Sequence, residues 1–345
     1  MSGYDEPGAG RAAEGEALLK RLLVSLVGAL GCAAGSATAQ SLVEELAWAY
    51  AITPGPAPAA PVDDGTRHSL PGSDREFTLD EIRNRMGPAD WYPGDHPSMP
   101  PIVAVGREAA GIWACSLCHY PNGKGRPENA SVVGLPKEYF IRQMYDFKNG
   151  LRESAEPRKP NTPLMTGFAV AMTDDEIRAS AEYFSAMRWT PWIEVVETDT
   201  VPKTRIAGGM HLRLEGAEAG TEPLGKRIVE SPVNAEHTEL LRNPRSGFIA
   251  YVPRGSVARG ETLAREGREG VAACTVCHGE TLDGLSVVPS LRGRSPSYVA
   301  RQLADMKLKR RRGEWTPLMT PVVAGLSADD ILNLAAYLAS LEPQP

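Results

Sequence analysis

The chain has 345 residues with 43 acidic and 37 basic side chains, so its net charge at neutral pH is −6. An acidic balance of this size gives no reason to expect nucleic acid as a partner. The length exceeds what one small hydrophobic core needs and suits two or three domains. Its 34 glycines and 29 prolines indicate many turns and few long helices.

Residues 1–39 have the composition of a secretory signal peptide. Basic side chains precede an apolar run at 22–30, and small residues follow it up to Ala39. The apolar run is too short to span a membrane, and no later segment is apolar enough to do so. We therefore expect export to the periplasm and cleavage before Gln40, with a lipid anchor on Cys32 as an alternative.

Residues 40–100 predict an N-terminal extension that carries no recognisable chemistry. A short helix is expected at 41–52, followed by a Pro/Ala-rich linker. Thr78 begins a capped helix that we expect to reach Met86. A proline-rich loop at 91–101 then leads into the first motif region.

The pattern Cys-x-x-Cys-His occurs twice. Its residues are Cys115, Cys118 and His119 in the first half and Cys274, Cys277 and His278 in the second. Positions i and i+3 of a helical turn share a face, so both thiols can form thioethers to the two vinyl groups of one porphyrin. The histidine that follows can then reach the iron as a proximal ligand. The pattern therefore predicts two covalently attached haem c groups.

Two other kinds of site use similar cysteine spacings. A thioredoxin-type redox pair needs a surrounding βαβ pattern, which the sequence lacks. A zinc site with four cysteine ligands requires both pairs to converge and leaves the adjacent histidines unexplained. Haem attachment accounts for all six residues, and we favour it.

The two halves share further residues at matched spacing. A tyrosine stands 20 residues after the motif histidine in both (139 − 119 and 298 − 278) and begins the matching segments 139–148 and 298–307. The string Thr-Pro-Leu-Met-Thr follows at 162–166 and again at 316–320. Two copies of one unit, each with its own motif, predict two domains of the same fold.

Met165 and Met319 occupy equivalent positions in the two halves, whereas the other methionines of the first copy align with non-methionine residues. A lone methionine usually fills a gap in a core. Here each one follows Thr-Pro-Leu, a stretch that we expect to be extended or turned and to present the thioether to a haem face. We therefore predict both as distal iron ligands.

Short sequence patterns predict the remaining helices and strands. Capping boxes at Thr173 and Ser327 begin amphipathic helices near the end of each copy. Helices before the motifs are expected at 106–111 and 256–266. The segment 190–254 contains clusters of β-forming residues between turn signals, which favours a small sheet over an extended linker.

Polar residues that recur in both copies, or that cluster, have more than one interpretation. The Tyr, Arg and Gln residues shared by the helices at 139–148 and 298–307 either bond haem propionates or belong to ordinary helix packing. A basic run at 307–312 is either a docking patch for an acidic redox partner or a solvated or propionate-bound helix face.

With two such motifs, each followed by a methionine and a C-terminal amphipathic helix, the chain resembles the tandem di-haem class I cytochromes c. The resemblance covers roughly 101–187 and 255–342. It implies a mainly α fold, with two cytochrome c-like helical haem domains at 101–189 and 255–345. The segment 190–254 joins them and is expected to be partly β. The resemblance also implies His/Met ligation of both irons.

The resemblance implies electron transfer without substrate chemistry. We expect a periplasmic carrier, not an enzyme, that accepts electrons from a dehydrogenase and delivers them to a cytochrome or an oxidase. The alternative is a di-haem, peroxidase-like enzyme with one open iron site. A methionine matched in both halves argues against that alternative, and a haem-based sensor is a weaker third interpretation.

Overall fold

The structure is a computed structural model that describes the following residues: 40–56, 59 and 61–343. The predicted leader, including Cys32, lies outside them. The chain divides into two compact units, residues 1–45 and 46–345. Within the first unit, residues 40–45 form helix α1. All elements named below belong to the second unit.

The second unit is mainly helical, as predicted. Its α-helices are α2 (Leu79–Ile82), α3 (Pro101–Ala104), α4 (Cys115–His119), α5 (Lys137–Lys148), α6 (Asn161–Ala171), α7 (Asp174–Ser185), α8 (Ser256–Glu266), α9 (Thr275–His278), α10 (Pro296–Lys307), α11 (Thr316–Ala324) and α12 (Ala328–Ser340). The capping boxes predicted at Thr173 and Ser327 are present and begin α7 and α12. Helix α8 coincides with the predicted range.

Short strands complete the second unit. They are β1 (His68–Ser69), β2 (Glu76–Phe77), β3 (Ile193–Glu197), β4 (Thr200–Pro202), β5 (Thr204–Ala207), β6 (Met210–Arg213), β7 (Thr221–Pro223), β8 (Val229–Pro232) and β9 (Phe248–Val252). Strands β3, β9 and β8 form a three-stranded sheet in that order, with β3 parallel and β8 antiparallel to β9. This sheet lies in the segment for which β-structure was predicted. The remaining strands pair as β1–β2, β4–β7 and β5–β6.

The Thr-Pro-Leu-Met-Thr strings are helical, so the prediction of an extended or turned conformation was wrong. They lie in the first turns of α6 and α11. Pro163 is the third residue of α6 and Pro317 is the second residue of α11. Proline is tolerated there because the first backbone N–H groups of a helix have no intrahelical acceptor.

Three other predicted helices are shorter than expected. The helix expected at 41–52 ends at residue 45. The helix predicted at 106–111 is a single 3₁₀ turn, Glu108–Ala110. It is bounded by Gly106 and Gly111, whose φ angles of 66° and 67° lie in the left-handed region and exclude a longer helix. Helix α2 ends at Ile82, before the predicted end.

The buried faces of the C-terminal helices follow the predicted periodicity. Ile177, Ala181 and Phe184 of α7 are buried, and Phe184 stacks on Phe140 of α5 at a centroid distance of 6.0 Å. The ring of His119 also packs edge-on against Phe184, with a distance of 6.3 Å between the ring centroids. The motif histidine of the first half is therefore held against the core that α5 and α7 share.

Helices α8 and α12 pack closely at Gly260. A Cβ atom at this position would lie 2.0 Å from the backbone oxygen of Asn333 and 2.7 Å from Cβ of Tyr337. We predict that Gly260→Ala lowers the free energy of unfolding by about 1–3 kcal/mol, because the helices must separate to admit a methyl group. Chemical denaturation of the haem-loaded protein measures the loss.

Gly167→Ala is the matched control for Gly260→Ala. Gly167 lies within α6 and a Cβ there meets nothing within 4 Å. Alanine favours a helix over glycine by roughly 1 kcal/mol, so this variant should be neutral or slightly stabilised. Equal effects of the two substitutions would contradict the close packing of α8 and α12.

Candidate haem-binding sites

One cavity in the first half brings together the side chains predicted to hold a haem. Its empty volume is about 1350 Å³, and Cys115, Cys118, His119 and Met165 all line it. Helix α4 supplies the first three and α6 supplies the methionine. The apolar side chains of the lining include Ile112, Val132, Leu135, Phe140, Met144, Phe147, Phe168, Met172 and Phe184. The cavity thus offers sulfur and nitrogen donors within a largely apolar wall.

Both motif histidines are oriented in the same way. Nδ1 of His119 lies 2.8 Å from the carbonyl oxygen of Ala130, and Nδ1 of His278 lies 2.8 Å from that of Pro289. Because a carbonyl only accepts, Nδ1 carries the proton and Nε2 keeps its lone pair. Burial lowers the pKa of both imidazoles, which favours the neutral ring. A neutral ring anchored through Nδ1 is what an iron ligand requires.

None of the four motif cysteines forms a disulfide, so both pairs are available for thioether bonds. Burial raises the pKa of Cys115 to about 12 and that of Cys274 to about 11. Among the described residues, no group of three or more His, Cys, Asp or Glu side chains is arranged to hold a metal ion. The convergence of the two cysteine pairs that a zinc site requires is therefore not observed in this part of the chain.

The residue after each motif histidine has an unusual backbone conformation. Tyr120 has φ 63° and ψ 158°, and Gly279 has φ 83° and ψ 156°. This region is ordinarily restricted to glycine and costs another residue about 1–3 kcal/mol. Tyr120 is buried, and the guanidinium of Arg242 lies 5.6 Å from its ring centroid. The surrounding fold therefore imposes on Tyr120 the turn that glycine adopts readily in the second half.

The second motif has the same local framework with a more open surface. Helix α9 ends at His278, which is buried, and α11 carries Met319, which is half-buried. Cys277 is exposed, whereas Cys118 in the first half is half-buried. The structure thus places the predicted residues of both halves on corresponding elements.

Two arginines connect the halves: Arg152, which the sequence analysis missed, and Arg311, which belongs to the basic run at 307–312. Arg152 donates to Oε1 of Gln143 (3.0 Å) and to Oε1 of Gln302 (2.8 Å). Arg311 donates to the same two oxygens, at 2.8 Å and 3.2 Å. The arginines stand 159 positions apart in the chain, as do the glutamines (311 − 152 and 302 − 143). Extending the repeat alignment by a few residues would have found the arginine pair.

Backbone hydrogen bonds flank this arginine contact symmetrically. The N–H of Glu153 donates to the carbonyl of Arg310 (2.8 Å), and the N–H of Arg312 donates to that of Leu151 (2.7 Å). The basic run is therefore largely engaged within the chain. Arg311 is buried, and Nζ of Lys307 donates to a backbone carbonyl.

Charged side chains make up another part of the first cavity's lining. Arg152, Lys159, Arg301 and Asp305 all contribute to it, two from each half. Burial lowers the pKa of Lys159 to about 7 and raises that of Asp305 to about 6. The second half thus completes the cavity of the first motif.

These residues fit a covalently attached haem. The apolar wall suits a porphyrin ring, and two thiols per motif match its two vinyl groups. Each imidazole leaves Nε2 available to iron, and cationic side chains in the first cavity suit the porphyrin carboxylates. A donor set of this kind, present twice on a mainly helical fold, defines a c-type cytochrome.

Comparisons with known proteins agree with this class. Cytochrome c4 of Pseudomonas aeruginosa is 24% identical over 245 residues, which covers 69% of this chain and 88% of the relative. Cytochrome c-554(548) of Halomonas halodenitrificans is 36% identical over 80 residues, covering 23% of this chain and 96% of the relative. The thiosulfate dehydrogenase electron acceptor of Thiomonas intermedia is 25% identical over 264 residues, which covers 71% of this chain and 92% of the relative. No family model matches the chain.

The chain belongs to the tandem di-haem class I cytochrome c family. It is a di-haem electron-transfer cytochrome, and its cofactors are two covalently attached haem c groups. The resemblance noted in the sequence and the prediction of two haem c groups are confirmed.

Proposed function

We propose that this chain accepts electrons from a periplasmic dehydrogenase and passes them to a downstream cytochrome or oxidase. In this proposal His119 and Met165 ligate one iron, and His278 and Met319 ligate the other. One observation carries it: Met165 lines the same cavity as His119, and Met319 holds the equivalent place on α11. The relative named as a thiosulfate dehydrogenase electron acceptor supports a dehydrogenase as donor.

Haem c supplies reversible one-electron chemistry when bound. The residues of the chain hold the ligands and control the surroundings. The carbonyls of Ala130 and Pro289 fix the two imidazole rings, which need not reorient when the charge changes. Buried aromatic rings such as Phe140 and Phe184 keep water from the first cavity. A methionine ligand paired with a histidine would favour the reduced state relative to two nitrogen ligands.

Export and domain organisation belong to the same proposal. Residues 1–39 act as the signal peptide, with a lipid anchor on Cys32 as the alternative. The haem domains occupy 101–189 and 255–345, joined by 190–254. Among the described residues no single helix is long and apolar enough to cross a membrane. Within the same described part of the chain, only the bent pair α11 and α12, with an angle of 119° between the helices, reaches that length and hydropathy together.

The spin state of the purified haem-loaded protein tests this proposal. We expect two low-spin haems per chain, both with the weak long-wavelength absorption band of a methionine–iron(III) bond. Added imidazole, which displaces methionine, serves as the control that assigns the band. A high-spin haem that turns over hydrogen peroxide would contradict the proposal and favour a peroxidase-like enzyme.

A further inference from the structure

We propose that a cleft outside the haem-binding cavity binds a small divalent oxyanion of the sulfate and phosphate class. The cleft has an empty volume of about 1040 Å³. Its walls come from three stretches of chain, 94–97, 122–124 and 186–190, and from Arg245. None of the residues that line it is assigned to a haem, so this inference does not depend on the proposed function.

Basic side chains outnumber acidic ones in the lining of the cleft. Lys124, Arg188 and Arg245 are cationic, whereas Asp95 is the acidic member of the lining in the described part of the chain. Arg245 donates to both carboxylate oxygens of Asp95 at 2.7 Å, so these two charges cancel. Two positive charges, on Lys124 and Arg188, are left, and a divalent anion would balance them.

His96 also lines the cleft, but it already belongs to an ion pair. Its ring nitrogens lie 2.8 Å from the carbonyl oxygen of Pro97 and 3.2 Å from Oδ1 of Asp90. Both partners accept, so both ring nitrogens donate. Burial lowers the pKa of His96, but the hydrogen bonds to Asp90 and Pro97 outweigh it and the net shift is upward. The imidazolium and the Asp90 carboxylate are neutral together and add no charge to the cleft.

The two remaining cations lack a partner. Among the described residues, neither Nζ of Lys124 nor the guanidinium of Arg188 forms a hydrogen bond or an ion pair. Arg188 is exposed, but Lys124 is half-buried, and its burial lowers its pKa to about 8. An ammonium group in this position has lost hydration that no group of the chain replaces. An oxyanion in the cleft would supply the missing acceptors.

The backbone around Lys124 is fixed before any ligand binds. Nδ2 of Asn122 donates to the carbonyl of Pro244 at 2.7 Å, and Oδ1 of Asn122 accepts from the N–H of Lys124 at 3.1 Å. Gly123 has a φ angle of 72°, and a Cβ atom there would lie 2.9 Å from Cβ of Val133. The loop therefore holds Lys124 in the wall of the cleft, and binding need not order it.

Calorimetric titration of the haem-loaded full chain with sodium sulfate, in a chloride buffer of matched ionic strength, tests the site. We expect saturable binding at one site per chain, and inorganic phosphate should displace sulfate. Lys124→Gln and Arg188→Gln should each weaken the affinity about tenfold, since each removes a hydrogen bond to a charged group. Lys124→Arg keeps the charge and should retain saturable binding.

Lys203 and Arg205 provide the matched control. Both are exposed, and neither lines the cleft. The double variant Lys203→Gln/Arg205→Gln removes the same charge as Lys124→Gln/Arg188→Gln, yet it should bind sulfate with unmodified affinity. Equal losses in the two double variants would show that sulfate responds only to the net charge of the chain. That result, or heats that do not saturate, would overturn the proposal.

Thermal unfolding distinguishes a ligand site from a structural role of Lys124. In chloride, Lys124→Gln should unfold at the same temperature as the unmodified protein or at a higher one, because it removes a half-buried charge without a partner. Sulfate stabilises folded proteins in general, but the unmodified protein should gain more from it than Lys124→Gln does, because only the former binds it tightly. A variant that is less stable in chloride, with an equal gain in sulfate, would assign Lys124 a structural role and contradict the site.

Discussion

Met319→Ala should convert the second haem to high spin and leave the first haem low spin. Alanine cannot reach the iron, so the distal position loses its sulfur ligand, and the reduction potential of that haem falls. Met165→Ala should have the reverse effect, because α6 and α11 present equivalent methionines. Absorption and electron paramagnetic resonance spectra count the low-spin haems directly, and each variant is expected to retain one of the two.

Met144→Leu is the control for this pair. Met144 also lines the first cavity, but its equivalent in the second half is Leu303. A leucine of similar volume should keep both haems low spin. If Met144→Leu lost the methionine band and Met165→Ala kept it, the assignment of the first distal ligand would be wrong.

Arg311→Ala should destabilise the contact between the two halves by about 3 kcal/mol or more. The substitution leaves the side-chain oxygens of Gln143, which is buried, and of Gln302, which is half-buried, with fewer donors, and it removes a charge opposite buried carboxylates. Asp305 is one of these, and its pKa is already raised to about 6 by burial. Urea denaturation of the haem-loaded protein measures the change in the free energy of unfolding.

The neighbouring arginine supplies the control for Arg311→Ala. Arg312 is exposed and lies 3.5 Å from Glu153, so Arg312→Ala should cost less than about 1 kcal/mol. Arg311→Lys should recover only part of the loss, because an ammonium group cannot reproduce the planar fork of the guanidinium. Similar small losses in Arg311→Ala and Arg312→Ala would show that the buried network contributes little.

The sequence predicted best what is encoded locally. The Cys-x-x-Cys-His strings, the capping boxes at Thr173 and Ser327 and the helix Ser256–Glu266 all depend on residues a few positions apart. Their spacing is sufficient to indicate the structure because helix caps and motif turns close within a single turn of chain.

Where a local signal permits two structures, the sequence interpretation failed. Thr-Pro-Leu-Met-Thr was expected to be extended because of its proline, yet proline is equally compatible with the first turn of a helix. The packing of α6 and α11 against their halves decides between these outcomes, and the string does not encode it. At 106–111 a helix was predicted, but Gly106 and Gly111 have positive φ angles. They limit the segment to the single turn Glu108–Ala110.

Contacts between residues far apart in the sequence could not be predicted, for a different reason. Arg152 meets Gln302, and Arg242 meets Leu117, across more than a hundred residues of chain. Apart from the repeat offset that pairs it with Arg152, nothing near Arg311 in the sequence distinguishes it from the exposed arginines on either side. Its burial accompanies hydrogen bonds to Gln143 of α5 and Gln302 of α10, and neither interpretation of the basic run, a docking patch or a solvated or propionate-bound helix face, predicted this internal contact.

The reciprocal pairing of Arg152 and Arg311 has a further consequence. The arginine of each copy donates to the glutamine of its own copy and to the glutamine of the other. A twofold axis imposes the same reciprocal contacts on two identical subunits. The chain is thus organised like a homodimer whose protomers share one polypeptide, and their association does not depend on concentration. Since the copies are no longer identical, the exterior of each can change without a matching change in the other.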